Sequence, residues 1–254
     1  MVSKTPTLKI AIVRNYDTPA TWGQLMIDSF SNTIKSIVPG AAIETFFPIT
    51  NGVFPDIDGF DLIILTGGTV NLTLPEVEPW VENTFDFIRT VSQSSSTKLM
   101  GICWGHQAIC RALGGTIRFN SQGDCVGVNS LKFTDNGIEF FGKSKSGEQS
   151  REFSLHKFHK RQIDKIAPNF IELAEDREVL LSKDDKIISF QGHPEMTREV
   201  ARGILDADDG AYTGELTQGQ VDDLYALFEL QNDGLRIFGR VLDWCSEKEP
   251  TRST

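Results

Sequence analysis

The sequence predicts an α/β fold, a doubly wound, mostly parallel mixed sheet with helices on both faces. Short apolar runs alternate with longer runs of helical periodicity through residue 113, the pattern of parallel strands joined by helical crossovers. The first of these runs is apolar nearly throughout, as a strand covered on both sides must be. The second half carries more strand-like segments than helical ones, so the sheet is expected to be mixed.

The elements follow in order. Leu8–Val13 reads as a buried strand, and Ala20–Val38 as a helix with Leu25, Ile27, Phe30, Ile34, Ile37 and Val38 at helical spacing before Pro39-Gly40 stops it. Ala42–Ile49 and Phe60–Leu65 are the next strands, the latter ending in Thr66-Gly67-Gly68. Val77–Val91 is a helix with Trp80, Phe85, Phe87 and Ile88 for its buried side, and serines 92, 94, 95 and 96 form a flexible connection. Lys98–Ile102 is a strand running into Cys103, and Trp104–Leu113 the helix after it. Further strands are expected at Thr116–Phe119, Val126–Phe133, Glu152–Leu155 and Lys186–Gln191, with Thr134–Arg151 a polar loop. Helices are expected at Thr197–Leu205, Thr217–Leu230 and Leu235–Cys245. No repeat and no long linker divides the chain. One domain over 1–254 is expected, with a core at about 8–206, carboxyl-terminal helices at about 207–246 and a frayed tail at 247–254.

Composition narrows the function. Twenty-five basic against 35 acidic residues give a net charge of −10, which opposes binding to nucleic acid or to an anionic membrane, both of which need a basic face. No apolar stretch reaches the roughly 20 residues of a spanning helix. Cys103, Cys110, Cys125 and Cys245 form no C-x-x-C pair, so neither a zinc ribbon nor a disulfide framework fits. With a polar Met1–Pro6 and no signal-peptide pattern, a cytoplasmic location is expected. Between Gly203 and Leu235 the chain is acidic without Lys or Arg; this reads as a solvated helix face, because Asp206-Ala207-Asp208-Asp209-Gly210 has the wrong spacing for a calcium loop.

Gly101-Ile102-Cys103-Trp104-Gly105 joins an apolar strand to a helix. In that context a G-x-nucleophile-x-G turn lifts a side chain out of the sheet, and the helix start favours negative charge. The pentapeptide alone reads equally as a buried cysteine at a helix start. Ser189-Phe190-Gln191-Gly192-His193-Pro194-Glu195 supplies the second feature. In extended chain His193 and Glu195 project to the same side, where a carboxylate can fix the imidazole's tautomer. Cysteine, histidine and carboxylate then make a nucleophilic triad, provided the two strand ends are neighbours.

Together, Gly101-Ile102-Cys103-Trp104-Gly105-His106-Gln107, Gln191-Gly192-His193-Pro194-Glu195 and the turn Leu65-Thr66-Gly67-Gly68 resemble the class I (triad) glutamine amidotransferase family over most of residues 8–206. The stand-alone single-domain members are the most similar, plant γ-glutamyl peptidases included. The resemblance implies a flavodoxin-like fold and hydrolysis of a γ-glutamyl amide through a thioester on Cys103. It makes His193 the base, Glu195 its partner, and the backbone N–H groups of Gly68 and Trp104 the oxyanion hole. Gln107, the strand segment at Gly127, and His159 in Phe158-His159-Lys160-Arg161-Gln162 are implied to bind or line the substrate site. The implied partner is a small γ-glutamyl substrate. A separate synthetase taking ammonia from this chain, or a non-catalytic binding role, is the alternative. Thiol chemistry of this kind requires no cofactor and no metal. Thr69-Val70-Asn71 departs from the family's usual residues after the glycine turn, so that loop is expected to have its own shape.

Three other patterns are weaker. Gly137–Ser144 matches the phosphate-loop expression, but no buried strand precedes it and no helix is expected to open at its lysine. His106, on the same short helix as Cys103, is badly placed to serve as its base. His156 and His159 are three apart with no cysteine or carboxylate cluster beside them, which argues against a metal.

Overall fold

A computed structural model describes residues 7–17, 21–93, 97–142 and 151–247. The strands are β1 (Lys9–Val13), β2 (Ala42–Phe46), β3 (Leu62–Leu65), β4 (Lys98–Ile102), β5 (Thr116–Phe119), β6 (Cys125–Lys132), β7 (Glu152–His159), β8 (Arg161–Lys165), β9 (Phe170–Ala174), β10 (Val179–Ser182) and β11 (Ile187–Phe190). The helices are α1 (Thr21–Ile37), α2 (Pro48–Asn51), α3 (Pro79–Gln93), α4 (Trp104–Ala112), α5 (Asp135–Phe141), α6 (Arg198–Asp206), α7 (Gln218–Phe228) and α8 (Gly234–Ser246). Seven strands form the main sheet in the order β2-β1-β3-β4-β11-β10-β9. From β2 to β11 every pairing is parallel, and β10 and β9 add an antiparallel edge. Because the chain goes from β1 to β2 on one side and returns to β3 on the other, the strand order reverses beside β1. Sheets of this kind place ligands at the carboxyl ends of the strands near such a reversal.

Strand periodicity explains why both faces are covered. Ile10, Ile12, Leu62, Ile64, Met100, Ile102, Ile188 and Phe190 point to one face and pack with Phe30 and Ile34 of α1, Val200 of α6 and Phe238 of α8. The residues between them, Ala11, Val13, Ile63, Leu65, Leu99 and Ile187, point the other way onto Phe85 and Ile88 of α3 and Ala108 and Ile109 of α4. Successive side chains of a strand face opposite sides, so an apolar run is what a doubly covered strand needs. Each fully buried Val, Leu, Ile, Met or Phe among them contributes roughly 1.5–3 kcal/mol.

The segments between β4 and β11 differ most from expectation. Thr134–Arg151 is not a loop throughout: Thr134 caps α5 by accepting a hydrogen bond from the Gly137 N–H (3.2 Å), and Phe140 and Phe141 are buried. Gly137, the first glycine of the phosphate-loop match, sits inside that helix, where a Cβ would lie 1.8 Å from the Leu173 carbonyl oxygen; it serves helix-to-strand packing. Residues 143–150, the rest of that expected loop, lie outside the described residues, as do serines 94–96 of the expected connection and the expected frayed tail beyond Glu247. Strand β7 runs four residues beyond the expected Leu155, and β8, β9 and β10 are additional.

The acidic run is more than a solvated face. Asp208 accepts hydrogen bonds from the N–H groups of Gly210, Tyr212 and Thr213, Glu229 pairs with Arg198 and Arg202, and Asp233 accepts from the Ser154 N–H. Among the described residues no helix is long and apolar enough to cross a membrane.

Strands β6 and β7 form an antiparallel hairpin lying over the carboxyl ends of the main sheet. A buried ion pair fastens it: Lys157 of β7 lies 2.5 Å from Glu178, the residue before β10. Burial pushes the Glu178 carboxyl up and the Lys157 ammonium opposes that. The same Glu178 accepts a backbone hydrogen bond from Gln191 (2.8 Å), just past β11. Breaking a buried pair by removing one partner typically costs about 3–5 kcal/mol. Lys157→Met is therefore expected to lower the urea midpoint by that equivalent, whereas Lys157→Met with Glu178→Leu recovers most of the loss; equal midpoints for the single and double variants would contradict this.

Candidate active site

Three adjacent parallel strands deliver the site. β3 pairs with β4 so that Leu65 lies beside Gly101, and β4 with β11 so that Ile102 lies beside Phe190. The segments after them, Gly67-Gly68, Cys103 and His193–Glu195, consequently emerge side by side. The two strand ends are neighbours, the condition on which a triad depended.

Cys103 stands between β4 and α4 with φ 50° and ψ −97°. A non-glycine residue in such a conformation costs on the order of 1–3 kcal/mol and persists only where its surroundings hold it. Here the Cys103 N–H donates to the Phe190 carbonyl (2.7 Å), the Gln107 N–H to the Cys103 carbonyl (3.1 Å) and the Gly105 N–H to the Thr66 carbonyl (3.2 Å). The flanking glycines are required by close approach. A Cβ on Gly101 would lie 2.7 Å from the carbonyl carbon of Gly105, and one on Gly105 would lie 2.4 Å from the Leu65 oxygen.

His193 Nδ1 bonds Glu195 Oε1 at 2.8 Å, with both residues buried. The His193 N–H also donates to the His156 carbonyl (2.9 Å), which ties it to β7. Burial by itself would pull the His193 imidazole down, but the Glu195 carboxylate and the neighbouring Cys103 sulfur outweigh burial and push it up to about 10. The Cys103 thiol points at the Phe158 carbonyl (3.6 Å), and His193 Nε2 has no hydrogen-bond partner. Such bonds are often open in a resting site and close with substrate. Gly67 lies against both residues: a Cβ there would lie 3.2 Å from His193 Cε1 and 3.8 Å from Cys103 Cβ.

Gly68 and Trp104 also meet. A Cβ on Gly68 would lie 2.5 Å from the Asn15 carbonyl oxygen and 3.0 Å from Trp104 Cγ. Trp104 begins α4, where the first N–H groups lack intrahelical acceptors. Arg111 ties down the loop after Gly68 by donating to the carbonyls of Leu72 (2.8 Å), Leu74 (2.6 Å) and Pro75 (2.8 Å).

Gln107 and His159 line a narrow recess beside Cys103, together with Lys160 and Arg161. Gln107 Nε2 donates to the Arg161 carbonyl (2.9 Å) and to Gln191 Oε1 (3.0 Å), which fixes the amide. Burial, with Lys157 adding to it, pulls His159 down to about 3. Gly127 is not brought to this recess: it has φ 104°, and its Cα faces α7, where a Cβ would lie 2.7 Å from Leu227 Cβ. Sequence reasoning missed Arg161 as a neighbour of Cys103, as well as Tyr16, Trp22 and Tyr212, which join Cys103 and His193 in a larger cavity. The Phe158–Gln162 stretch was the available signal for Arg161; the aromatic residues carry no motif.

The remaining histidines and thiols are unsuited to the chemistry. His106 Nδ1 bonds Ser189 Oγ (2.8 Å), and burial holds the ring down to about 3. Burial, aided by the charge of His193, pulls His156 down to about 4. It pushes the Cys110 thiol up to about 11, with backbone hydrogen bonds opposing. Among the described residues no group of three or more His, Cys, Asp or Glu is placed to hold a metal ion.

A doubly wound sheet with a cysteine on a strained strand-to-helix turn, beside a buried histidine–carboxylate pair, defines the class of α/β proteins built around a nucleophile elbow. A sequence profile described as "Glutamine amidotransferase class-I" matches residues 29–205, and the chain belongs to that family. It is 35% identical over 243 residues, 95% of this chain and 97% of the other, to the "glutamine amidotransferase-like protein chry6" of Gibberella zeae. It is 24% identical over 169 residues, 63% of this chain and 64% of the other, to "gamma-glutamyl peptidase 2" of Arabidopsis thaliana. Its fold matches a glutamine amidotransferase from Thermotoga maritima with a TM-score of 0.73 and 15% identity, covering 96% of this chain and all of the other.

Burial and the Glu195 carboxylate set His193 apart from the other three histidines. At pH 8 the ring ¹⁵N spectrum is expected to contain one imidazolium, His193, and three neutral rings. Glu195→Gln removes the foremost group holding that proton and should move the His193 titration about 1–3 pH units lower; an unmoved titration, or a second imidazolium in the wild type, would contradict the assignment.

Proposed function

We propose that the chain is a cysteine hydrolase of γ-glutamyl amide bonds, working through a γ-glutamyl thioester. The observation that carries this reading is the arrival of Cys103 and His193 in one cavity at neighbouring strand ends, with Glu195 bonded to the far side of the imidazole (2.8 Å).

In this reading the Cys103 sulfur attacks the γ-carbonyl carbon. A sulfur–carbon bond forms, and the carbonyl π electrons move to oxygen, where the N–H groups of Gly68 and Trp104 receive the negative charge. Collapse of this intermediate breaks the carbon–nitrogen bond, and the amine departs with the proton carried by His193. Water then gives a proton to His193 and its oxygen to the thioester carbonyl. The carbon–sulfur bond breaks, releasing glutamate and restoring the pair. Glu195 keeps the imidazole oriented and offsets its charge throughout.

The recess lined by Gln107, His159, Lys160 and Arg161 has the polar groups that the α-carboxylate and α-amine of a glutamyl head call for, but its volume of about 20 Å³ must widen to take the head. Arg161 brings the cation that a carboxylate requires. Its guanidinium donates to the Thr69 carbonyl (3.1 Å), and Lys160 donates to the Ala211 carbonyl, across the recess. Each such contact at a surface is worth on the order of 1 kcal/mol, so substrate binding can part them and admit the head.

The test is glutamate release by the purified chain alone from glutamine and from small γ-glutamyl peptides. Cys103→Ala is expected to abolish it, and Gly68→Ala, which forces its loop away from Asn15, to lower kcat by about 10²–10³. Release that survives Cys103→Ala would overturn the reading.

A further inference from the structure

Two recesses of opposite character meet at Cys103. Gly68, Cys103, Phe158 and Tyr212 line both. The narrow one is polar, as described. The other has a volume of about 310 Å³ and is walled by Tyr16, Trp22, Met26, Met196, Ile204 and Tyr212. Its aromatic walls are mutually braced: Tyr16 and Trp22 lie 5.3 Å apart, and Phe158 meets Tyr212 edge-on at 5.6 Å.

The charges at the larger recess have one sign apart from His193. They are Asp208 and Asp209, and among the described lining residues there is no Lys or Arg; the ammonium of Lys160 reaches the rim, 4.9 Å from the Tyr212 ring centroid and bonded to the Ala211 carbonyl, and is paired with Asp124 (2.9 Å). Arg14, beside Tyr16, lies over the Tyr16 and Phe47 rings. The Asp208 carboxylate is occupied by the N–H groups of Gly210, Tyr212 and Thr213, which fold residues 208–213 over the recess.

A γ-glutamyl amide has two ends on either side of the bond that breaks. With the charged head in the polar recess, the leaving amine falls in the apolar one. Ammonia, the size of a water molecule, needs about 10–15 Å³ of such space and would leave nearly all of it vacant. An amine bearing a carboxylate would bring an anion to a site lined by two aspartates, whose nearest ammonium, Lys160, is already paired with Asp124, a like-charge juxtaposition that costs affinity. An uncharged aromatic side chain fits both the volume and the walls.

Resting on the hydrolase reading, we propose that the substrate class is a γ-glutamyl amide of an uncharged, aromatic primary amine. The larger recess is the leaving-group site, and it selects against glutamine and against γ-glutamyl peptides that end in a carboxylate.

Three substrates of closely matched reactivity test this: γ-glutamyl-benzylamide, γ-glutamyl-methylamide and γ-glutamylglycine. The expected kcat/KM for the benzylamide is about 100-fold above the methylamide, within what an apolar pocket can discriminate, and at least about tenfold above γ-glutamylglycine. Ile204→Lys, which adds an unpaired cation to the lining, is expected to shift the γ-glutamylglycine to benzylamide ratio about tenfold toward the acid. Equal turnover of the three, or a preference for γ-glutamylglycine, overturns the proposal while the hydrolase reading stands. Binding to Cys103→Ala by calorimetry separates the converse. The same order of affinities without wild-type turnover upholds the leaving-group site and sinks the hydrolase; neither turnover nor ordered binding overturns both.

Discussion

Everything at the cleft depends on β11 lying parallel beside β4, with Phe190 opposite Ile102. These strands are separated by about ninety residues of chain, and only their pairing brings the segment after one within reach of the segment after the other. The pairing also holds Cys103 directly, because its N–H donates to the Phe190 carbonyl. The residues that enforce this register are ordinary: apolar side chains on both faces of each strand, buried under helices on either side. A slip of one residue would turn every one of them to the opposite layer, so the packing of the sheet and the geometry of the cleft are a single constraint.

Around that constraint the site separates charge by burial. Four histidines lie close to the carboxyl ends of the sheet, all buried. Burial opposes charge on each of them, and only His193 has a carboxylate to reverse the outcome. The strain at Cys103 is offset by backbone hydrogen bonds from three directions, and the glycines of the elbow are fixed by contacts with Leu65 and with each other. The same economy governs the hairpin over the site, where one buried ion pair and one carbonyl of Glu178 link β7 to the segment after β11.

Much of this was legible in the sequence. β1, β3 and β4 are apolar runs that could be placed within two residues, and the elbow and the His-x-Glu segment announced their own geometry. What was not legible has identifiable causes. β8 (Arg161–Lys165) and β9 (Phe170–Ala174) are short and interrupted by charge, so no alternation stands out. α5 contains Gly137 in its interior and is only seven residues long; its existence rests on the Thr134 cap and on Phe140 and Phe141 burying themselves. The acidic run looked like a solvated face because its partners, Arg198, Arg202 and the Ser154 N–H, lie in other segments. The aromatic recess is the extreme case, since Tyr16, Trp22 and Tyr212 become neighbours only in the folded chain and no local pattern marks them.

The central claim is that a γ-glutamyl group passes through a covalent bond to one particular sulfur. The most direct measurement is acid quenching of the full chain during turnover of a γ-glutamyl amide, followed by mass spectrometry of the intact protein and its peptides. The account predicts a transient addition of one glutamyl group on the peptide containing Cys103, labile to hydroxylamine and absent from Cys103→Ala. Turnover with the addition on another residue, or glutamate release by Cys103→Ala at the wild-type rate, would contradict it.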